Sequence, residues 1–309
     1  MVILDVKDLK VYYKARGFFS KQETKAVDGI SLFINEHETL GLVGESGSGK
    51  STLGKAVLLL VKPTSGTIMF DGINILEANR ASLKQFRRQA QIVFQDPYSS
   101  LNPRMKAGNI IADPMRVHKI AKGRVLKYRV IDLLSTVGLP QTAYNKYPFA
   151  FSGGQRQRIS IARALSLNPR FIVADEPVSA LDISIQAQLL NLFKEIQEKQ
   201  AVSYLFISHD LRVVAFISHR IAVMYLGKIV ESASKTEIIK NPIHPYTRLL
   251  LSSMPSKDRK SSEYSNITAP PIRGCRFYPR CTYAKPICRD EEPVLKEVAP
   301  AHTVACYLY

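Results

Sequence analysis

The residues best suited to chemistry form one short glycine-rich stretch, Gly44-Glu-Ser-Gly-Ser-Gly-Lys-Ser-Thr52. Its pattern, G-x-x-x-x-G-K-[ST], is typical of loops that hold the phosphates of a nucleotide. Glycines let the backbone wrap closely around a phosphate chain, and a following helix directs free N–H groups at the anion. Lys50 supplies a cation for the phosphates, and the Ser51 hydroxyl can bind Mg²⁺. The stretch predicts a nucleotide site that also includes Gly44, Ser46, Gly47, Ser48, Gly49 and Thr52.

The elements on both sides of this loop agree with that prediction. Residues 38–43 form a short apolar run, which predicts a buried parallel strand. Residues 51–62 place Leu53, Ala56 and Val57 at helical spacing, which predicts a helix directly after the loop. The helix dipole then adds positive potential where the phosphates would lie.

Polar side chains follow three more predicted strands, each a short apolar run. These side chains are Gln95, the pair Asp175-Glu176, and His209. Strands that alternate with helices predict a parallel α/β sheet, and such sheets bind ligands at the carboxyl ends of their strands. We therefore expect these groups to converge with Gly44 on one crevice.

Elementary chemistry suggests a role for each of these groups. A carboxylate at the end of an apolar strand is the expected Mg²⁺ partner of Ser51 in a P-loop ATPase, which selects Asp175. Glu176 is placed to orient or polarise an attacking water. His209 alone would more often be an ordinary core or surface histidine. Its position after a neighbouring strand makes it a candidate for contact with the γ-phosphate.

The rest of the chain predicts accessory elements. Alternating residues at 3–13 and 26–34 predict antiparallel strands, and Tyr13 at the end of the first could stack on a purine or be an ordinary strand tyrosine. Residues 96–150 interrupt the strands and predict an inserted helical subdomain. Further predicted elements are a strand at 67–72, a basic helix at 80–90, a helix capped by Ser184 that runs to 200, and a closing hairpin at 221–231.

Composition limits the location and the partners. No window of eighteen apolar residues occurs, so we expect no membrane span. The first residues alternate like a strand, so we expect no signal peptide. Both observations predict a cytoplasmic protein. The formal charge of +17 is compatible with binding to nucleic acid, or with an anionic lipid surface or acidic partner. The basic residues are scattered without interleaved aromatics, which favours the second interpretation.

With these residues on the page, the chain resembles the ATP-binding subunits of ABC transporters over residues 3–235. Phe151-Ser-Gly-Gly-Gln155 is similar to the family's LSGGQ motif, with phenylalanine in place of leucine. Ser179-Ala-Leu-Asp182 resembles the D-loop, Gln95 the Q-loop glutamine, His209 the switch histidine and Tyr13 the aromatic that stacks on adenine. The resemblance implies an α/β P-loop ATPase with a mixed central sheet, an antiparallel β subdomain and the helical subdomain.

The resemblance also implies a mechanism. Two such domains pack head to tail, and each ATP lies between the phosphate loop of one and the segment of the other that contains Ser152, Gly153, Gly154, Gln155 and Asp182. Gln95 joins Ser51 and Asp175 around Mg²⁺. ATP binding closes the dimer and hydrolysis opens it, and Gln95 with the helical subdomain transmits closure to two membrane permease subunits.

Residues 241–250, Asn-Pro-Ile-His-Pro-Tyr-Thr-Arg-Leu-Leu, narrow the resemblance to importers of oligopeptides and dipeptides, although importers of nickel or glutathione share such a tail. That branch implies a heterodimer of two ATPase subunits, an extracytoplasmic binding protein, and a peripheral position on the cytoplasmic face of the inner membrane. The predicted domains are an ATPase domain at 1–235 and an extension at 236–309. A soluble ABC ATPase that acts on ribosomes or nucleic acid is the alternative, but no nucleic-acid module is recognisable.

All four cysteines lie in that extension, at Cys275, Cys281, Cys288 and Cys306. Disulfides are disfavoured in a reducing cytoplasm, whereas four thiolates can hold zinc or a [4Fe–4S] cluster. The lack of a C-x₂-C pair argues mildly against zinc. The resemblance to peptide importers implies the cluster, while zinc and no metal stay open. Arg276 and Arg280 are expected to shape this site and offset its negative charge.

Overall fold

The structure is a computed structural model, and it describes residues 1–14, 23–252 and 273–309. The strands in these residues are β1 Val2–Lys14, β2 Glu23–Asn35, β3 Thr39–Val43, β4 Ser65–Phe70, β5 Ile73–Asn74, β6 Ala90–Val93, β7 Phe171–Asp175, β8 Ser203–Ser208, β9 Arg220–Tyr225, β10 Lys228–Ser234, β11 Lys296–Ala299 and β12 His302–Val304. None of the described helices combines the length and the apolar character that a membrane span requires.

The α-helices in the same residues are α1 Lys50–Val57, α2 Arg80–Gln89, α3 Pro97–Ser100, α4 Ala107–Val117, α5 Gly123–Thr136, α6 Gly153–Leu165, α7 Ile183–Gln200, α8 Leu211–Ile217, α9 Lys235–Lys240, α10 Pro245–Ser252 and α11 Ile287–Asp290. Short 3₁₀ helices lie at Gln141–Asn145, Pro148–Ala150 and Tyr278–Arg280. The chain divides into two compact units. Unit 1 comprises residues 1–4, 34–38 and 69–207, and unit 2 comprises residues 5–33, 39–68 and 208–309.

In unit 1, parallel strands carry the predicted carboxylates. β7 pairs in parallel with β6 on one side and with β8 on the other. Every residue of β7 and β8 is buried, which fits the continuous apolar runs that predicted them. The stretch predicted to be a helical subdomain contains α3, α4, α5 and two 3₁₀ helices, and α4 packs against α5 and α6.

In unit 2, β3 precedes the phosphate loop and pairs in parallel with β9, which forms an antiparallel hairpin with β10. The sequence predicted that this hairpin closes the sheet, and that prediction was wrong. β12 pairs antiparallel with β10 through Glu231 opposite Val304, and β11 pairs with β12. The extension therefore contributes two strands to the sheet, because β10 still has backbone groups free to pair on its second side.

The core of unit 2 explains why the extension belongs to it. Side chains from β3, β9, β10 and α8 form one apolar cluster together with Tyr246 of α10 and Phe277. The Tyr225 and Tyr246 rings lie 4.5 Å apart, and the Phe277 ring lies 5.3 Å from that of Tyr225. Cys275 and Cys281 pack against the same cluster. The extension thus buries Tyr246 and Phe277 in the unit that holds the phosphate loop.

Two predicted helix boundaries were wrong. The helix after the phosphate loop ends at Val57 rather than residue 62, because Leu59 adopts the left-handed conformation that stops a helix (φ 55°). The long helix of unit 1 has Asp182 rather than Ser184 at its N-cap, with extended backbone dihedrals there. Ser184 therefore lies inside the first turn of α7.

Candidate active site

The phosphate loop of unit 2 leads from a fully buried strand into a helix whose first turn has no side-chain cap. Gly49 is the N-cap of α1, with φ 101°, and a Cβ atom there would lie 2.0 Å from the Ala26 carbonyl oxygen. Only glycine fits that position. No side-chain hydrogen bond caps the N-terminus of α1, and the N-terminus of a helix favours anions through its N–H groups and its dipole.

Lys50 folds back across this loop. Its Nζ donates to the carbonyl oxygens of Gly44 at 2.7 Å and Glu45 at 2.8 Å, and lies 3.3 Å from the Ser48 hydroxyl. The residue is only 4% exposed. An ammonium group held by these acceptors is fixed within the loop, next to the N-terminus of α1, where a phosphate would bind.

The other residues predicted for the loop follow in the same turn. Ser48 is buried, Ser51 and Thr52 are half-buried, and Ser46 and Gly47 are exposed. Their order around the N-terminus of α1 matches the predicted phosphate and Mg²⁺ contacts, which stay predictions.

Unit 1 holds the predicted carboxylates at the end of β7. Asp175 is the last residue of the strand and is 4% exposed. Glu176 follows in the left-handed conformation with φ 47°, which is uncommon for a residue with a side chain, and its N–H donates to the Ile207 carbonyl at 3.0 Å. Strained backbone of this kind occurs at functional sites. The turn therefore fixes the direction in which the Glu176 carboxylate projects.

Gln95 lies against this carboxylate. Its Nε2 donates to Glu176 Oε2 at 3.3 Å, so the structure brings two of the predicted residues together in unit 1. The next residue, Asp96, caps α3. A hydrogen bond from the Tyr98 N–H, and smaller contributions from hydrogen bonds with Ser99, hold the pKa of the Asp96 carboxyl below its usual range. Gln95 was predicted to bind Mg²⁺, and that role stays a prediction.

The glycine pair of the Ser152–Gln155 segment begins α6 in unit 1. Ser152 Oγ accepts from the Gln155 N–H at 3.3 Å, and Gln155 Oε1 accepts from the Ser152 N–H at 3.1 Å. This reciprocal capping box fixes the segment at the helix N-terminus. A Cβ on Gly154 would lie 2.5 Å from Ile185, so this glycine permits α6 and α7 to approach closely. Gly153 is half-buried, whereas the Ser152, Gln155 and Asp182 side chains are exposed.

Two residues with predicted contacts to ATP, His209 and Tyr13, lie in unit 2. His209 directly follows β8 and is exposed. Tyr13 is 45% exposed, whereas the Tyr12 hydroxyl donates to the Asp28 carboxylate, and burial, together with that bond, raises the pKa of the Tyr12 phenol. Tyr13 is the more exposed of the two tyrosines, and its stacking on adenine stays a prediction. Convergence of unit 1 and unit 2 residues on one crevice stays a prediction.

The four cysteines lie in one small part of unit 2, and all are free thiols. The Cys275 N–H donates to the Cys288 carbonyl at 2.8 Å. Burial raises the pKa of the Cys275 thiol to about 11, and it also raises the pKa values of Cys281 and Cys306, with smaller contributions from neighbouring thiols. Backbone N–H groups two residues further on are directed at these three sulfurs: Phe277, Tyr283 and Leu308.

The predicted metal centre is not found in the described part of the chain. There, no group of three or more His, Cys, Asp or Glu side chains is arranged to hold a metal ion. The donor set nevertheless fits an iron–sulfur cluster, because such clusters are held by four thiolates, and backbone N–H groups are directed at three of these sulfurs.

The arginines among these cysteines make contacts that the sequence did not predict. Arg276 donates to the Asp28 carboxylate and to the Leu226 carbonyl, and Arg280 forms an ion pair with Glu45 of the phosphate loop. They had been expected to offset the charge of the cysteine site. Both interact instead with carboxylates distant in sequence, and no local pattern near residue 280 indicates a partner 235 positions away.

Comparison with known proteins agrees with this architecture. The family described as ABC transporter matches residues 27–179, and the family described as oligopeptide/dipeptide transporter, C-terminal region, matches residues 230–288. The chain is 50% identical over 320 residues to the oligopeptide transport ATP-binding protein AppF of Bacillus subtilis (strain 168), covering 99% of this chain and 97% of that protein. It is 42% identical over 315 residues to the dipeptide transport ATP-binding protein DppF of Haemophilus influenzae, covering 99% and 96%.

A solved structure supports the same assignment. The ATP-binding cassette MJ0796, in a dimeric post-hydrolysis state bound to ADP and Pi, matches with a TM-score of 0.67 and 29% identity over 75% of this chain and 98% of that chain. The phosphate loop, the Glu176 turn and the capped Ser152 segment all lie within residues 27–179, which the ABC transporter family matches. The protein is thus an ABC ATPase, and it belongs to the ATP-binding proteins of ABC transporters that carry the oligopeptide/dipeptide transporter C-terminal region.

Proposed function

We propose that this chain is the ATP-hydrolysing subunit that powers uptake of peptides through an ABC importer. The observation that carries the proposal is the near-full-length similarity to oligopeptide and dipeptide transport ATP-binding proteins, which includes the extension. These relatives favour peptides over nickel or glutathione. They also favour a transporter over a soluble ATPase that acts on ribosomes or nucleic acid.

Residues from both units carry the chemistry in this proposal. Lys50 and the N-terminus of α1 would bind the β- and γ-phosphates, while Ser51, Gln95 and Asp175 would supply the protein ligands of Mg²⁺. Glu176 orients the attacking water, and His209 contacts the γ-phosphate. Tyr13 stacks on adenine. The buried Lys50 and the fixed turn at Glu176 support these roles, because catalytic groups of ATPases act through position and charge.

The second part of the proposal concerns assembly. Ser152, Gly153, Gly154, Gln155 and Asp182 contact the nucleotide held by a second, homologous ATPase subunit, in a head-to-tail heterodimer. The exposure of Ser152, Gln155 and Asp182 leaves them accessible to such a partner. The heterodimer binds two membrane permease subunits at the cytoplasmic face of the inner membrane, and an extracytoplasmic binding protein delivers the peptide.

The third part is that Cys275, Cys281, Cys288 and Cys306 hold a [4Fe–4S] cluster, with zinc as the alternative. Four cysteines match the four thiolate ligands of such a cluster, and the lack of a C-x₂-C pair argues mildly against zinc. The N–H groups directed at Cys275, Cys281 and Cys306 would stabilise their thiolates. The bound cluster would act as a structural crosslink in the extension.

The catalytic assignment is tested with Glu176→Gln in the assembled transporter. The amide keeps the size of the side chain but cannot accept a proton from water, so ATP binding should persist while turnover falls by at least about 100-fold. Glu198→Gln, at an exposed residue of α7, is the matched control and should keep turnover. Peptide uptake into proteoliposomes is measured in parallel. Normal turnover in Glu176→Gln would refute the role of Glu176, and turnover without peptide uptake would refute the substrate class.

The cluster is tested by anaerobic purification followed by iron, sulfide and zinc counts. About four irons and four sulfides per chain are expected, and Cys306→Ser should lower both. Tyr307→Phe is the control, because it alters the neighbouring residue and leaves every thiol in place. One zinc and no iron would replace the cluster by a zinc site, and absence of both metals would refute a metal centre.

A further inference from the structure

Glu45, the second residue of the phosphate loop, is bound by an arginine of the cysteine segment, which we define as residues 275–306. Arg280 Nη1 donates to Glu45 Oε2 at 2.8 Å, and Nη2 donates to Oε1 at 2.9 Å. This two-pronged geometry is the strongest form of an arginine–carboxylate pair. It joins residues 235 positions apart within unit 2.

The guanidinium group has little freedom to move elsewhere. The Arg280 side chain is 4% exposed, and it lies over the rings of Tyr225 at 5.8 Å and Phe277 at 5.7 Å. Its Nη1 also donates to the Tyr225 hydroxyl at 3.4 Å. Cation–π contacts in a desolvated setting add to the ion pair. Arg280 is therefore held in position before any nucleotide arrives.

The backbone of Glu45 is fixed from two further directions. Its N–H donates to the Tyr246 hydroxyl at 2.8 Å, and its carbonyl oxygen accepts from Lys50 Nζ at 2.8 Å. Tyr246 belongs to the His-Pro-Tyr segment, so two parts of the extension contact the same loop residue. Side chain, N–H and carbonyl of Glu45 are thus all engaged.

A carboxylate in a loop that binds a polyphosphate is an electrostatic disadvantage. Glu45 is 38% exposed at its side chain, so unpaired it would direct negative potential toward the bound anion. Arg280 removes this disadvantage by neutralising the carboxylate, while its own guanidinium lies over the Tyr225 ring. The short 3₁₀ helix Tyr278–Arg280, between Cys275 and Cys281, carries the arginine to that position.

We propose that Arg280 is a positioning residue of the nucleotide site: by pairing with Glu45 it couples the cysteine segment to the phosphate loop and raises the affinity of that loop for nucleotide. The proposal rests on the proposed function in one respect, namely that the loop containing Glu45 binds the nucleotide phosphates. Folding of the cysteine segment then sets the affinity of a site to which it contributes no direct ligand.

The test compares Arg280→Gln, Glu45→Gln and the double variant by measuring Kd for Mg-ATP on the full chain. Arg280→Gln should weaken binding about tenfold, the scale of one unit charge acting over about 10 Å at an effective dielectric of about 20. Glu45→Gln alone leaves the charge of Arg280 unpaired beside the loop, so on the same scale it should tighten binding by up to about tenfold. The double variant should return to within about threefold of the wild type.

Matched variants separate positioning from general stability. Arg276→Gln alters another arginine of the same segment. Because Arg276 contacts Asp28 and the Leu226 carbonyl, Glu45→Gln should not rescue a binding defect of the Arg276→Gln variant. Arg280→Lys keeps the charge and should bind more tightly than Arg280→Gln. In the assembled transporter, Arg280→Gln should raise KM for ATP and leave kcat nearly unchanged.

Specific results would overturn the proposal. An Arg280→Gln variant that folds and binds like the wild type, or a defect that Glu45→Gln fails to rescue, would show that the ion pair does not act on the nucleotide. Should Arg280→Gln fail to fold, Glu45→Gln alone tests the same charge pair, and an unchanged Kd in that variant would count against the proposal. Lys50→Ala is measured alongside, because unchanged binding in that variant would instead refute the nucleotide site itself.

Discussion

His244 is buried in unit 2 as a neutral imidazole, and acid should therefore destabilise the protein through this residue. It is 1% exposed, its Nδ1 accepts from the Tyr246 N–H at 3.0 Å, and a hydrogen bond joins its ring to the Ala305 backbone. Burial lowers the pKa of the imidazole to about 3, and the bond to Ala305 only partly opposes this shift. Protonation would also place a second donor against the Tyr246 N–H.

The direction and size of the effect follow from proton linkage. In the unfolded chain a histidine binds its proton near pH 6.5, whereas folded His244 does so only near pH 3. Between these values the unfolded state holds more protons, so the free energy of unfolding falls as the pH falls. From pH 7 to pH 5 the loss is about 2 kcal/mol, from about 1.36 kcal/mol per unit over the 1.5 units below 6.5.

Urea unfolding of the wild type and of His244→Gln at pH 7 and pH 5 measures this loss. The variant should be less stable at pH 7 because it loses packing, but its deficit should shrink by about 2 kcal/mol at pH 5, since glutamine takes up no proton. His37→Gln, at an exposed histidine, is the control for removal of one imidazole. An equal deficit at both pH values, or an NMR resonance of His244 that titrates near pH 6.5, would refute the reasoning.

Two further substitutions test buried contacts. Glu231 is fully buried and accepts hydrogen bonds from three groups: the Ile243 N–H at 2.9 Å, the His244 N–H at 2.9 Å and His302 Nε2 at 2.8 Å. Glu231→Gln turns an amide NH₂ toward these donors and should cost about 1–3 kcal/mol, seen as a lower urea midpoint; an unchanged midpoint would contradict it. Gly154→Ala should cost about 1–3 kcal/mol by displacing Ile185, and Ile185→Ala should recover part of that loss if the cause is steric.

Sequence patterns predicted the parts of the fold whose signals are local. The apolar runs before Gly44 and Asp175 indicated buried strands because parallel strands covered on both faces have no polar alternation. The phosphate loop was predictable because its chemistry demands fixed residue types at fixed spacing. The capping box at Ser152 was not predicted, although serine and glutamine three residues apart are its sequence signal.

The contacts of the extension could not be predicted in this way. β12 has three residues and β11 is exposed throughout, so neither has a periodicity that indicates a strand. The partner of Arg280 is chosen by the packing of Tyr225 and Phe277, which depends on the assembled core. Asp182 and Ser184 are both suitable N-cap residues, and only the backbone dihedrals select the first.

The pairing of β12 with β10 has a consequence for biosynthesis. β10 ends at Ser234 and β12 begins at His302, so a ribosome completes the first strand well before it reaches the second. During that interval β10 presents unpaired N–H and C=O groups, which are a template for aggregation with other chains.

Once the extension is complete, the outermost strand is β11, which has four exposed residues and carries charges at Lys296 and Glu297. Short charged edges resist strand addition. We therefore expect chains truncated after residue 252 to aggregate in cells even if the ATPase motifs are intact. The extension thus protects the newly made protein from self-association.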